Sequence, residues 1–254
     1  MRIASWNVNS IKVRLEHVLK WLEENGPDVL LLQELKGTDF PEDVLKDAGY
    51  HAAVVPQKAR HGVAALCKEE PEIIAKKLPG DDTDEEARFI DIKIRNTRII
   101  GIYAPNGNPV DTDKYTYKHR WMDRLKDYLQ DMKAKNIPYV IGGDFNVIPE
   151  NEDCYNPAAW EGDALFTLET RQKYRALLNL GLTDAFRVWN QQSEHYTFWD
   201  YQNGAWPANR GIRIDHFLLS PAMADRLQSC HIDKNPRDWE RPSDHTPIVI
   251  DLGY

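Results

Sequence analysis

Short, very apolar runs separated by amphipathic stretches organise the chain. Met1–Trp6 reads as a strand, and Ile11–Glu24 carries Leu15, Val18, Leu19 and Leu22 at helical spacing. Asn25-Gly26-Pro27 ends that helix, because glycine accepts a left-handed cap and proline cannot continue the turn. Asp28–Gln33 follows as a buried strand, so the opening is a β-α-β unit that favours a parallel pair. Further strands are predicted at Ala52–Val55, Val63–Cys67, Phe89–Ile94, Arg98–Tyr103, Tyr139–Gly142, His216–Leu219 and Pro247–Leu252. Helices are predicted at Lys114–Lys135, where Trp121, Leu125, Tyr128, Leu129 and Met132 share a face, and at Glu169–Leu180, closed by Gly181.

Ala52–Tyr103 holds strands without room for long helices, which disfavours a fully alternating doubly wound sheet. The expectation is an α/β (α+β) fold in one domain over residues 1–254. Its layers are two packed mixed β-sheets flanked by helices, a four-layer sandwich.

Polar residues interrupt the apolar runs at their ends. Val29–Leu32 finishes in Gln33-Glu34, Ile99–Ile102 in Tyr103-Ala104-Pro105-Asn106, and Val140–Gly143 in Asp144-Phe145-Asn146. The first strand leads into Asn7-Val8-Asn9, and Arg213–His216 and Ser243-Asp244-His245 open or precede later strands. Any one of these has an ordinary reading, since an Asp at a strand end is usually a turn former or helix cap. Six such interruptions on different strands are not what turn formation predicts, and ligands of α/β sheets bind outside strand ends. Glu34, Asp144, Asp215 and Asp244 together would place four carboxylates in one mouth, tolerable only with a hard cation. Oxygen donors with no cysteine and little histidine suit Mg²⁺ or Mn²⁺ better than zinc. A metal, a carboxylate able to orient water, and neutral Asn and Tyr donors point to hydrolysis of a phosphoester.

The formal charge of −8 lowers the expectation of a nucleic-acid partner without excluding it. Five acids crowd into Asp81–Glu86, which reads as a solvated loop. Lys114, Lys118, Arg120, Arg124 and Lys126 are interleaved with Tyr115, Tyr117 and Trp121, a local basic and aromatic surface. Three cysteines without metal-like spacing, no apolar leader in MRIASWNVNS and no membrane-length apolar run suggest a reduced, cytoplasmic protein.

In this order and spacing, SWNVNS (Ser5–Ser10), Asp28–Glu34, IYAPNGN (Ile102–Asn108), GGDFN (Gly142–Asn146), NRGIRID (Asn209–Asp215) and Ser243-Asp244-His245 resemble bacterial exonuclease III. That family is the abasic-site endonuclease branch of the endonuclease/exonuclease/phosphatase superfamily, and the likeness runs from about Met1 to Leu252. The resemblance implies a Mg²⁺-dependent (Mn²⁺ as alternative) DNA phosphodiesterase of base excision repair. It would incise 5′ to abasic sites, degrade DNA 3′→5′ and trim 3′ ends, as a monomer on double-stranded DNA.

The resemblance also implies roles. Glu34 would be the principal metal ligand, with Asn7 beside it and Asp244 at or near the metal. Tyr103 would touch the scissile phosphate, Asp144 would orient or deprotonate the attacking water, and Asn146 would help fix water and phosphate. His245, held by Asp215, would stabilise charge on the phosphate. DNA contact would come from Asn9, Lys58, Asn106, Lys118, Arg120, Asn209 and Arg210. Phe198, Trp199 and Ile212 would lie near a pocket for an extruded abasic sugar, whose poor stacking makes extrusion cheap. For Phe198 and Trp199 the competing reading is core packing.

Two other readings compete. The same core could act on RNA or a phosphoinositide, although no additional basic headgroup motif is visible. A non-catalytic DNA-binding relative would have no reason to keep Glu34, Asp144, Asp215 and His245 together.

Overall fold

The computed structural model describes residues 1–253. Its strands are β1 (Arg2–Asn7), β2 (Val29–Gln33), β3 (His51–Val55), β4 (Val63–Cys67), β5 (Glu72–Ala75) and β6 (Phe89–Ile94). They continue as β7 (Thr97–Tyr103), β8 (Tyr139–Asp144), β9 (Thr183–Asp184), β10 (Asp215–Leu219), β11 (Leu227–Ile232) and β12 (Ile248–Leu252). The helices are α1 (Ile11–Asn25), α2 (Glu42–Asp47), α3 (Asp113–Ala134), α4 (Pro157–Trp160), α5 (Leu168–Leu178), α6 (Ala185–Trp189) and α7 (Pro221–Ala224).

Two six-stranded mixed sheets form, ordered β11-β12-β1-β2-β4-β3 and β5-β6-β7-β8-β10-β9. Each has a single parallel pair at its centre, β1–β2 and β7–β8, joined by α1 and α3 respectively. The two halves are therefore alike in topology although no repeat is visible in sequence. Each crossover helix lies on the outer face of its sheet. α1 buries Ile11, Val18, Trp21 and Leu22 against Ala4, Trp6, Leu30 and Leu32. α3 buries Trp121, Met122, Leu125 and Leu129 against Ile100, Ile102 and Ile141. Gly26 caps α1 in the left-handed conformation and donates to the Leu22 carbonyl at 2.9 Å, as the Asn-Gly-Pro stop predicts.

The inner faces meet in the central core. Ile3, Val29, Leu31, Ile99, Val140, Phe217, Ile248 and Ile250 pack there with no exposed surface. Side chains alternate along a strand, so the inward set of β1 continues through Ser5 to Asn7, and that of β8 from Val140 to Asp144. The apolar layer thus gives way to polar groups at one end of both sheets. Two glycines permit this closure. A Cβ on Gly142 would meet the Phe217 ring at 2.2 Å, and one on Gly143 would strike the Ile102 carbonyl oxygen at 2.0 Å.

The predicted strands and long helices are present with ends that coincide or differ by at most two residues, and Val63–Cys67 and Phe89–Ile94 match at both ends. β8 runs two residues further than predicted and brings Asp144 into the strand. β5, β9 and β11 were not predicted, because they are short or edge strands whose half-exposed residues lack clear alternation. The short helices α2, α4, α6 and α7 span too few turns to show a period. Cys67, Cys154 and Cys230 are buried and free. Among the described residues no helix is long and apolar enough to cross a membrane.

Candidate active site

The strand ends converge on a pocket of about 170 Å³. Glu34, Tyr103, Asn106, Asp144, Asn146, Asp244 and His245 line its polar side, and Trp160, Leu165, Phe198, Ile212 and Ile214 its apolar side. β1 and β2 deliver Asn7 and Glu34 from one sheet, while β7, β8 and β10 deliver Tyr103, Asp144 and Asp215 from the other. Glu34 and Asn146 have left-handed backbones, with φ of 55° and 49°. Such conformations are costly for side-chain-bearing residues and persist only where surrounding bonds hold them.

Asn7 ties the two sheets together. Its Oδ1 accepts from the Asn9 amide at 3.0 Å, which leaves Nδ2 to donate to Glu34 Oε1 and Asp144 Oδ2, each at 3.0 Å. Tyr103 donates its hydroxyl to the same Glu34 oxygen at 2.8 Å, and Lys36 pairs with Glu34 Oε2 at 2.8 Å. Burial opposes the Glu34 charge, yet bonds from Lys36 and Asn7 prevail and hold its carboxyl below the ordinary value. Burial and the neighbouring carboxylates Glu34 and Asp144 push the Tyr103 hydroxyl well up, so it stays a neutral donor. Arg88 braces this tyrosine, donating to its carbonyl at 3.1 Å with the guanidinium 4.9 Å from the ring centre.

Opposite stands a carboxylate–imidazole pair. Asp215 Oδ2 and His245 Nδ1 are 2.8 Å apart, both residues being buried. Burial disfavours the imidazolium, but Asp215, with Asp144 and Asp244, outweighs it and raises His245 to about 10. His245 Nε2 faces Asp144 Oδ2 at 3.8 Å. Asp144 accepts the Asn146 amide on Oδ1 at 2.9 Å. Burial and the nearby Asp215 push Asp144 up to about 7, against the pull of His245.

Glu34, Asp144 and His245 present atoms within 4.8 Å of one another. The charged imidazole has no lone pair to give, so the ligands on offer are carboxylate oxygens. That donor set, with Asp144 buried beside the further carboxylates Asp215 and Glu34, fits a hard divalent cation. Asp244, expected at or near the metal, lines the same pocket and accepts from Asn9 Nδ2 at 3.0 Å.

The expected DNA-contact residues divide. Phe198 and Ile212 line the pocket, with the Phe198 ring 5.0 Å from that of His245. Asn106 donates to Asn146 Oδ1 at 3.3 Å. Lys58 and Arg120 are exposed beyond the pocket lining. Asn209 and Arg210 are half-buried and bond within their own loop, Asn209 Oδ1 accepting from Trp199 Nε1 at 3.2 Å.

Two expectations are corrected. Trp199 has no exposed surface and packs edge-on against Trp206 at 4.8 Å, in the core behind the pocket. Lys118 is also fully buried and donates to three backbone carbonyls. Burial pushes its ammonium down to about 7, opposed by Asp144 and Asp163. The surface predicted from Lys114 to Lys126 is interrupted accordingly: Trp121 is buried, and Arg124 pairs with Asp84 of the acidic run at 2.7 Å.

Sequence reasoning did not single out Trp160, Leu165 or Ile214 as pocket residues. Trp160 sits on a four-residue helix with no periodic signal, and the aliphatic residues read as core. Lys36 carried a usable signal, lying two residues beyond Glu34.

Comparison with known proteins agrees with this geometry. Residues 4–245 match the Endonuclease/Exonuclease/phosphatase family. Exodeoxyribonuclease III of Haemophilus influenzae is 33% identical over 262 residues, covering 98% of each chain. Among solved structures, the 3′ phosphatase NExo from Neisseria, bound to a product DNA hairpin, superposes with a TM-score of 0.97 at 37% identity. An AP endonuclease from Archaeoglobus fulgidus superposes at 0.96 with 38% identity, and both alignments cover 100% of each chain.

Proposed function

The chain belongs to the endonuclease/exonuclease/phosphatase family, and from that membership we propose a divalent-metal-dependent DNA phosphodiesterase of base excision repair. It acts as an exodeoxyribonuclease III-like 3′→5′ exonuclease and as an abasic-site endonuclease incising 5′ to the lesion, with 3′-end trimming. The observation that carries this reading is the carboxylate-held imidazolium of His245 facing Glu34 and Asp144 across a pocket whose far wall is apolar.

Glu34 would be the principal ligand of the cation, with Asp144 beside it, Asn7 orienting both carboxylates and Asp244 at the margin. Mg²⁺ is the proposed ion and Mn²⁺ the alternative, because every ligand on offer is an oxygen. When bound, the cation neutralises the carboxylates and the charge that builds on the phosphate. Asp144, with its raised proton affinity, holds the attacking water and takes its proton. His245 donates Nε2–H to a phosphate oxygen and a spare Asn146 amide hydrogen assists it, while the neutral Tyr103 hydroxyl joins them by turning its single hydrogen from Glu34 to the phosphate. Phe198, Ile212, Ile214, Leu165 and Trp160 offer an apolar seat for a sugar that carries no base.

The enzyme works as a monomeric, single-domain cytoplasmic protein on double-stranded DNA with abasic sites or recessed 3′ ends. Matched duplexes, one abasic and one with a recessed 3′ end, should both be cleaved with Mg²⁺ or Mn²⁺ and spared in chelator. Absence of both cleavages would overturn the proposal. Faster turnover of RNA or a soluble inositol phosphate would reassign the substrate.

A further inference from the structure

Lys118 lies on α3 with its ammonium turned inward. Nζ donates to the Asn146 carbonyl at 2.6 Å, the Asn106 carbonyl at 3.0 Å and the Ala164 carbonyl at 3.2 Å. An ammonium has three hydrogens, so its donor capacity is used up. A buried cation is costly unless fully bonded, and here dipoles do the bonding with no carboxylate in contact among the described residues. The three carbonyls belong to three separate segments, which follow β7, follow β8 and precede α5.

Those segments build the pocket. Asn106 and Asn146 line it, and Leu165, next to Ala164, forms part of its apolar wall. Asn146 needs outside support for its left-handed backbone, and its amide also donates to Asp144 Oδ1 at 2.9 Å. The Asn106–Asn108 turn packs on the lysine stem so closely that a Cβ on Gly107 would lie 2.6 Å from Lys118 Cδ.

We propose that Lys118 is a positioning residue for phosphodiester cleavage, joining three loop ends and orienting Asn146 and Asp144 without touching DNA. This rests on the reading that Asn146 and Asp144 act at the phosphate. In a well-oriented site, a displacement of about 1 Å costs on the order of 100-fold in rate. A neutral side chain at this position should therefore lower kcat while sparing KM.

The test measures kcat and KM on recessed-end DNA for wild type, Lys118→Met, Asn146→Ala and the double variant. The expected result is a kcat loss of about 30-fold or more for Lys118→Met, with KM changed less than about threefold. In the Asn146→Ala background the same substitution should cost clearly less than in wild type, because the part of its effect that runs through the Asn146 side chain is already gone, while the part that runs through the Asn146 backbone amide to Asp144 remains. Lys118→Gln, which keeps donors and shortens the chain, serves if the Met variant does not fold. Amine acetylation of folded wild type should mark Lys114 and leave Lys118 unmodified, with or without DNA.

A raised KM with unchanged kcat, or labelling of Lys118 as fast as Lys114, would make Lys118 a DNA contact and overturn the proposal. An equal loss in both backgrounds would overturn it too, leaving only a general structural role. Full activity in Asn146→Ala would instead remove the reading of the site on which the proposal stands.

Discussion

Asp215 Oδ2 sits 2.8 Å from Nδ1 of His245, both residues being buried. The pairing decides which charge His245 carries. The folded value, about 10, lies above the ordinary 6.5, so the pair's contribution to stability is complete below pH 6.5 and is lost as pH rises through about 10.

Asp215→Asn should therefore move the alkaline limb of the cleavage profile down towards the ordinary histidine value. At pH 8 an imidazole of ordinary value is only about 3% protonated, so the loss should be about 30-fold. The check is a pH–rate profile of both proteins on recessed-end DNA. An unmoved alkaline limb would mean that His245 charge does not limit the reaction.

Asp144→Asn keeps the shape of the side chain and removes the proton acceptor. Cleavage should fall by about 1,000-fold or more while DNA affinity stays within a few-fold of wild type. Single-turnover cleavage and fluorescence anisotropy measure the two quantities separately. Retained cleavage would show that another group accepts the water proton.

Asn7→Ala removes the amide that orients Glu34 and Asp144 without removing a carboxylate. Loss of such an orienting partner typically weakens metal binding about 10- to 100-fold, and the Mn²⁺ concentration for half-maximal activity should rise accordingly. Calorimetric Mn²⁺ titration reads the same shift without turnover. Unchanged metal affinity would reduce Asn7 to a spacer between the sheets.

His216 offers a prediction about stability. Its Nε2 donates to the Val147 carbonyl and its Nδ1 accepts from Arg213, each at 2.9 Å, so the buried ring is neutral. Burial and Arg213 depress its value to about 4, below the ordinary 6.5. The unfolded chain therefore takes up this proton first as pH falls through 6.5, and stability declines until about pH 4. Between pH 7 and pH 5 the loss should be about 2 kcal/mol from this group alone. Urea unfolding at both pH values checks it, and the decline should be shallower in His216→Gln.

The strands that bear the site were legible because their apolar runs are short and end abruptly in Gln33-Glu34, Tyr103 and Asp144. Spacing among the six motifs supplied the family. Edge strands such as β11 escaped because Leu227–Ile232 is half-exposed and carries no clean alternation.

Local order along the chain was enough to determine the β-α-β opening, the two-sheet architecture and the residues that meet at the strand ends. Those features depend on side-chain period and on near-neighbour conformation, which a linear pattern records. Only the tertiary structure decided what each polar group touches. Lys118 and Arg120 stand two residues apart on one helix, yet one is buried against three carbonyls and the other is exposed. Trp199 adjoins Phe198, but the chain turns one ring toward His245 and the other into the core. Burial and partner identity come from segments far apart in the chain, as when Ser243 donates to the Asn7 carbonyl 236 residues away, and they set the charge on His245 and the surroundings of Lys118. The physical reason is that desolvation and hydrogen bonding are properties of the packed site, set by distance in space rather than along the chain.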